Sequence, residues 1–348
     1  MKNNVWTMAE QYDGSLKAVS FELLSRGRIL ADKLGVSLCS VIIGPYLEDK
    51  TLNELIRRGA DEVIAIGSER LKFFTCESYS PLLEALIRDY EPCIILAAAT
   101  TTGRTLLPYT AVKIHTGLTA DCTTLDIEEG TGLLLQTRPA IGGNIMATIK
   151  TPDHKPQMAT VRPRSSRPPE ERERQGSIYR FTLGETLPGG GILPLNPGAG
   201  KAGGEVIVKG CRREESGFAN MEDADVIFAG GRGLRKGENF KLLRELAAAL
   251  GGEVAASRDA VDRGWISYPH QVGLSGKTVS PRLYIGSGIS GAVQHLAGIK
   301  TSEAIVSINS DPQANLHKVA DLAIVADAFP VLEELKKRLL KHCGEKNG

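Results

Sequence analysis

From Asp225 onward, five short runs of branched apolar residues alternate with helix-like segments, and no other pattern in the chain narrows its fold as far. DVIFAGG (225–231) leads to RGLRKGENFKLLRELAAALGG, EVAAS (253–257) to RDAVDRGW, and LYIGSG (283–288) to ISGAVQHLAG. EAIVSIN (303–309) leads to SDPQANLHKVA, and LAIVAD (322–327) to AFPVLEELKKRLL. Apolar runs without polar alternation read as strands buried on both faces, and strands separated by helical crossovers pair in parallel. The expected architecture is a doubly wound sheet whose strands all end on one edge. That edge collects Gly230, Gly231 and Arg232; Ser257 and Arg258; Gly286, Gly288, Ser290 and Gly291; Asn309; and Asp327. Glycines at an exit let backbone amides reach a pyrophosphate, an arginine offers charge to phosphate, and Asn309 and Asp327 have the chemistry to bond ribose or an adenine edge. A dinucleotide cleft is the expected ligand site.

The first half carries a similar signal. Leu16, Val19, Leu23, Leu24, Leu30 and Leu34 fall near one helical face ahead of VSLCSVIIG (36–44). The unit repeats as LNELIRRG then DEVIAIG, and as PLLEALIRDY then PCIILAAA. TTTGRTLLPYTAVKI (100–114) then reads as a strand exit opening a helix, either a place for ligand-facing groups that favour anions or an ordinary helix with Thr101 or Thr102 as its N-cap. TTLDIEE, LLLQTRP, NIMATIK and QMATVRP follow as short strands split by turn residues, which predicts an antiparallel meander added to the parallel sheet. RPRSSRPPEERERQG (162–176) reads as a solvated linker, the glycine-rich stretch 184–205 continues the irregularity, and EVIVKG (205–210) reads as a strand.

Two domains suit 348 residues, since single domains run to roughly 100–200. The boundaries are 1–216, with an irregular loop at 162–204, and 217–348. Both are α/β: each a mostly parallel sheet with flanking helices, the first with the added meander, the second doubly wound. Lys and Arg number 42 against 41 Asp and Glu, a balance with no electrostatic footprint for nucleic acid. The absence of a long apolar run or an apolar leader argues against membrane insertion and for the cytoplasm. The six cysteines are scattered without a CxxC pair and read as small apolar filler, so no metal is expected. Two phosphate-loop look-alikes fail on context. Gly198, Gly200 and Gly203 spell GxGxxG without a preceding strand, and GLSGKT (273–278) has Gln271 where a Walker loop needs glycine. QVGLSGKTVSP (271–281) reads instead as a flexible lid over the ligand's reactive end.

AGGRGLRKGENFKLL, ASRDAVDRGW, QVGLSGKTVSPRLYIGSGISGAVQHLAG, IVSINSDPQA and VADLAIVAD together resemble the FAD-binding domain of electron-transfer flavoprotein alpha subunits, and TGLTADCTTLDI in the first half is also similar to that family. The resemblance implies FAD as cofactor, a beta subunit as heterodimer partner, and single-electron traffic between a flavin dehydrogenase, such as an acyl-CoA dehydrogenase, and an acceptor. It makes the chain a carrier subunit rather than a stand-alone enzyme. Carried over position by position, FAD contacts fall on Arg232 and Ser257; on Val272, Gly273, Leu274 and Ser275; on Gly288, Ile289, Ser290, Gly291, Ala292 and Val293; and on Asn309, Asp327 and Ala328. Arg258, Ser275 and His295 match positions that approach the flavin ring, His295 adding a pH-dependent charge. Ser275 stands where many members have threonine, and the glycine-rich insertion after Gly184 matches no family role. TRPAIGGNIMATI (137–149) resembles the version in electron-bifurcating members, where the beta subunit carries a second FAD and the complex oxidises NADH. A self-contained flavin or nicotinamide oxidoreductase and a non-redox nucleotide-binding scaffold are the alternatives. No acid–base constellation lies outside the cleft to serve the first, and the flavin-edge residues argue against the second.

Overall fold

The computed structural model describes residues 2–140, 145–198, 206, 208, 221 and 224–345. Backbone contacts divide the chain into Met1–Arg212 and Arg213–Gly348.

The first unit is built on a seven-stranded sheet. Its order is Ser177–Phe181, Glu62–Gly67, Leu38–Gly44, Val5–Ala9, Ile94–Ala98, Gln157–Val161 and Leu118–Cys122. Every neighbouring pair is parallel. Period-two alternation sends Val5, Leu38, Ile42, Ile94 and Leu96 to one face, against Leu23, Leu24 and Leu30 of helix Ala18–Leu34. Trp6, Val41, Ile43 and Ile95 go to the other, against Leu82, Leu83 and Leu86 of helix Cys76–Tyr90 and Leu107 of helix Thr101–Lys113.

Four local expectations are corrected. The meander has three strands, Thr124–Ile127, Leu134–Pro139 and Met146–Ile149. Gln157–Val161 joins the parallel sheet instead, because it is buried along its whole length and needs cover on both faces. The segment read as a solvated linker is strapped to its own unit. Arg172 N–H donates to the Arg57 carbonyl at 3.0 Å, Arg58 pairs with Glu171 at 2.9 Å, and Arg174 pairs with Asp61. The strap delivers edge strand Ser177–Phe181. Part of the glycine-rich stretch is likewise ordered: Leu187 and Leu193 enter the core, and the Asp89 carboxylate accepts from Gly189 and Gly191 N–H at 2.9 and 3.0 Å. The helix after Ile94–Ala98 is capped by Thr100, one residue earlier than expected, its hydroxyl accepting from Gly103 N–H at 3.2 Å. The EVIVKG strand, Gly200 and Gly203 of the GxGxxG look-alike, and residues 141–144 of the TRPAIGGNIMATI stretch lie outside the described residues or mostly so.

The second unit is a five-stranded sheet in the order Glu253–Ala256, Val226–Gly230, Leu283–Ser287, Ala304–Asn309, Leu322–Val325. All its pairs are parallel. One face packs Phe228, Ile285 and Ile308 against helix Phe240–Ala249 and Leu332 of helix Ala328–Glu345. The other packs Ile227, Tyr284 and Ile305 against Val272, Val279, Ile299 and Leu316, which come from loops and short turns. These loops are therefore part of the core.

Cys39, Cys76, Cys93 and Cys122 are buried free thiols, and burial pushes Cys76 up to about 11 and Cys122 to about 12. Among the described residues no helix is long and apolar enough to cross a membrane.

Candidate functional site

In the second sheet, chain order reverses between Val226–Gly230 and Leu283–Ser287, so a crevice opens outside their carboxyl ends. Backbone bonds staple the two exits together. Gly231 N–H donates to the Ser287 carbonyl and Gly233 N–H to the Gly288 carbonyl, both at 3.0 Å. The approach leaves no room for side chains, since a Cβ on Gly288 would stand 2.6 Å from the Gly233 Cα. Gly288 also has φ +64, in the left-handed region.

Beyond Gly288 the chain turns without spending its amides. Among the described residues, the N–H groups of Ile289, Ser290, Gly291 and Ala292 donate to no backbone carbonyl or side chain. A run of unspent amides flanked by left-handed glycines is the geometry of an anion-binding nest, and Gly291 has φ +81. The following helix, Val293–Ala297, is only 5 residues long, so amides rather than an accumulated helix dipole supply the positive field. These donors fit the pyrophosphate of a dinucleotide.

The other expected residues lie at the exits of the same sheet edge. Ser257 opens helix Arg258–Asp262 and makes no capping bond, which leaves its hydroxyl free for a ligand. Arg232 is exposed, its Nε 4.0 Å from the Asp259 carboxylate. The Arg258 side chain is 72% exposed and pairs with Asp262 at 3.3 Å, so solvent and a counter-charge both weaken its field. Asn309 and Asp327, expected to meet ribose or adenine, also shape the crevice. Asn309 Nδ2 donates to the Ile289 carbonyl at 2.9 Å, and the Asp327 carboxylate accepts from Phe329 N–H at 3.1 Å while pairing with Arg235. The buried Ala328 begins the last helix. Arg235 is absent from the expected set, although the RGLRKG run placed two arginines at this exit.

The expected flexible lid is corrected: the loop is fastened. Val272 N–H donates to the Ala256 carbonyl at 3.0 Å, Leu274 N–H to Gln294 at 2.9 Å and Val279 N–H to Gly298 at 2.8 Å. Gly273 N–H donates to the Lys277 carbonyl at 3.0 Å, closing the turn that presents the exposed Leu274 and Ser275. Val293, also exposed, stands beside Gln294.

His295 is 6% exposed and holds this loop from below. Its Nδ1 lies 3.0 Å from the Val272 carbonyl and its Nε2 2.8 Å from the Tyr284 hydroxyl. A carbonyl only accepts, so Nδ1 carries the proton, and the neutral ring accepts from Tyr284 at Nε2. Burial pushes the imidazole down to about 4, outweighing the Val272 bond, and drives the Tyr284 phenol up. Desolvation thus moves the pH-dependent charge expected of His295 to well below neutral pH.

Residues 5–186 match the family described as Electron transfer flavoprotein domain, and residues 220–300 match Electron transfer flavoprotein FAD-binding domain. The chain is 44% identical over 338 residues to an electron transfer flavoprotein subunit alpha of Thermoanaerobacterium thermosaccharolyticum, covering 96% of this chain and 98% of that one. It is 44% identical to the protein FixB of Clostridium saccharobutylicum, with 95% and 94% covered. An electron transfer flavoprotein subunit alpha of Clostridium acetobutylicum is 43% identical, with 95% of each chain covered.

Proposed function

Because the chain belongs to the electron transfer flavoprotein alpha subunits, a family that binds flavin and pairs with a beta subunit, we propose that its second unit holds FAD at the switch-point crevice. The heterodimer carries single electrons between a flavin dehydrogenase, an acyl-CoA dehydrogenase being one such donor, and an acceptor in the cytoplasm. In this division the first unit, 1–216 by the sequence reading, faces the beta subunit and 217–348 holds the cofactor. The observation that carries the FAD reading is the run of unspent amides from Ile289 to Ala292 at the switch point.

FAD, when bound, supplies the one-electron chemistry; the chain supplies position and field. The amides of Ile289–Ala292 would hold the pyrophosphate by hydrogen bonds, with Arg232 adding charge at the rim. Ser257, Asn309 and Asp327 with Ala328 border the nucleotide end, and the loop of Val272, Gly273, Leu274 and Ser275 borders the flavin. The Arg258 guanidinium would favour added negative charge on a flavin held there, its field weakened by solvent and by its Asp262 partner. The Ser275 hydroxyl contributes a hydrogen bond of about 0.5–1.5 kcal/mol.

A second reading, electron bifurcation with a second FAD on the beta subunit, is favoured by Arg138 in TRPAIGGNIMATI. Arg138 is half-buried, and its guanidinium has no hydrogen-bond or ion-pair partner among the described residues. Co-purification with the beta subunit tests both readings. One FAD with AMP supports the simple carrier, two FAD supports bifurcation, and a colourless complex sinks the flavin assignment. In redox titration of the same complex, Arg258→Ala lowers the one-electron potential more than Ser275→Ala does; equal or reversed shifts overturn that ranking.

A further inference from the structure

Ser275 is itself held by two residues that the family resemblance does not assign. Gln271 is 3% exposed, and its Nε2 donates to Ser275 Oγ at 3.0 Å. The Gln271 backbone is fixed: it bridges to Ala256, and its carbonyl accepts from Lys277 N–H at 2.8 Å. Gly276 passes so close that a Cβ there would lie 2.4 Å from that carbonyl. On the outer side, the Tyr268 hydroxyl donates to the Ser275 carbonyl at 2.8 Å.

A serine hydroxyl has one proton to give and lone pairs that receive. An amide N–H aimed at Oγ fills a receiving position, so the hydroxyl's own proton is directed away from Gln271, toward the exposed side of the loop. Without that amide the rotor could equally present a lone pair, which repels an acceptor. We propose that Gln271 is a positioning residue that commits Ser275 to donating toward an acceptor atom of the flavin, with Tyr268 holding the Ser275 backbone in place. This rests on the reading of Ser275 as a flavin-facing group. Burying an amide carries a desolvation cost, and the bond to Ser275 offsets it only while the loop keeps this shape. Gln271 and Ser275 are then one unit, and removing either should have the same kind of effect on the flavin.

The test is a double-mutant cycle on the heterodimer with its beta subunit, reading FAD content, visible spectrum and the one-electron reduction equilibrium. Ser275→Ala lowers that equilibrium constant up to about tenfold, which is about 59 mV. Gln271→Met, which keeps the length and removes the donor, keeps FAD bound and lowers it about threefold. In the Ser275→Ala background, Gln271→Met changes nothing further. Tyr268→Phe, on the exposed side, gives a smaller shift that also vanishes in that background and serves if Gln271→Met fails to fold. A heterodimer without flavin, or a Ser275→Ala variant with an unchanged equilibrium, overturns the reading of Ser275 and the proposal with it. A shifted Ser275→Ala with an unshifted Gln271→Met, or a Gln271→Met shift that persists undiminished without the hydroxyl, overturns the positioning role alone.

Discussion

Each unit has a switch point, and the two are finished in opposite ways. In the first, chain order reverses between Val5–Ala9 and Ile94–Ala98, and the residue just past the first exit is Glu10. Its side chain, on a residue only 7% exposed, accepts from the Thr100 hydroxyl and pairs with Lys17 at 3.2 Å. Thr100 caps the helix that begins there. The place where an α/β sheet offers positive field to an external anion is thus occupied by a carboxylate of the chain itself. Ser20 completes the arrangement, its hydroxyl bonding both the N–H and the carbonyl of Glu10 at 2.9 Å. At the second switch point the exits are Gly231 and Gly288, which bring no side chain of their own, and among the described residues four amides stay unspent. Topology makes a crevice in both units; the exit residues decide whether it is filled from within or kept for a ligand.

The sharpest way to break this contrast is Gly288→Val. A branched side chain at φ +64 costs about 1–2 kcal/mol, and forcing a Cβ against Gly233 adds about 1–3 more. The expected outcome is a heterodimer purified with little or no flavin and a second unit destabilised by about 2–5 kcal/mol, with the first unit unaffected. Flavin-to-protein ratio and thermal unfolding measure it. A variant with full flavin occupancy would show that the close approach of the two exits is not what forms the site.

The two units should also separate on acidification. The folded chain holds His295 near 4, whereas an unfolded histidine titrates near 6.5. Between those values the unfolded chain binds a proton that the buried ring refuses, so stability falls as pH falls through that window, by up to about 3 kcal/mol. His270, also lowered by desolvation, acts in the same direction. The first unit follows a different course. Burial alone would raise the Asp121 carboxyl, but Arg162 and Arg104 outweigh it and hold it below the usual carboxylate range. Its contribution is intact above the unfolded value of 3.8 and is lost only as pH drops through the lower folded value. The chain's 2 tryptophans separate the signals, Trp6 lying in the first unit and Trp265 in the second. In single-tryptophan variants, acid lowers the Trp265 transition from about pH 6.5, and His295→Phe flattens most of that slope. Coincident Trp6 and Trp265 profiles would count against separate causes.

The open crevice was far more legible in the sequence than the filled one. Its strands are continuous apolar runs, and glycines at exits carry a steric meaning that survives without coordinates. Glu10 follows VWTMA as one of many acids, and nothing local tells that Thr100, 90 positions away, meets its carboxylate. Gln157–Val161 was misplaced because a fourth short strand after three turn-linked ones reads as more meander, while its continuous burial depends on partners distant in sequence. Edge strand Ser177–Phe181 was missed because it is half exposed and follows a charged run. Gln271 left no periodic signal, and the charge state of His295 is set by burial that composition cannot report.

The smallest expected effect probes the filled crevice. Glu10→Ala removes the acceptor of the Thr100 hydroxyl and the partner of Lys17, but it leaves Thr100 capping the helix and Lys17 within reach of water. The cost is about 1–3 kcal/mol of first-unit stability, the usual range for unmaking a buried hydrogen bond. It should appear in the Trp6 transition, with the Trp265 transition and the flavin-to-protein ratio unchanged. The informative quantity is the asymmetry between this variant and Gly288→Val: one destabilises without loss of flavin, the other loses flavin. If Glu10→Ala also empties the flavin site, the first switch point supports cofactor binding after all. If it stabilises the first unit instead, the carboxylate is retained at a cost to folding.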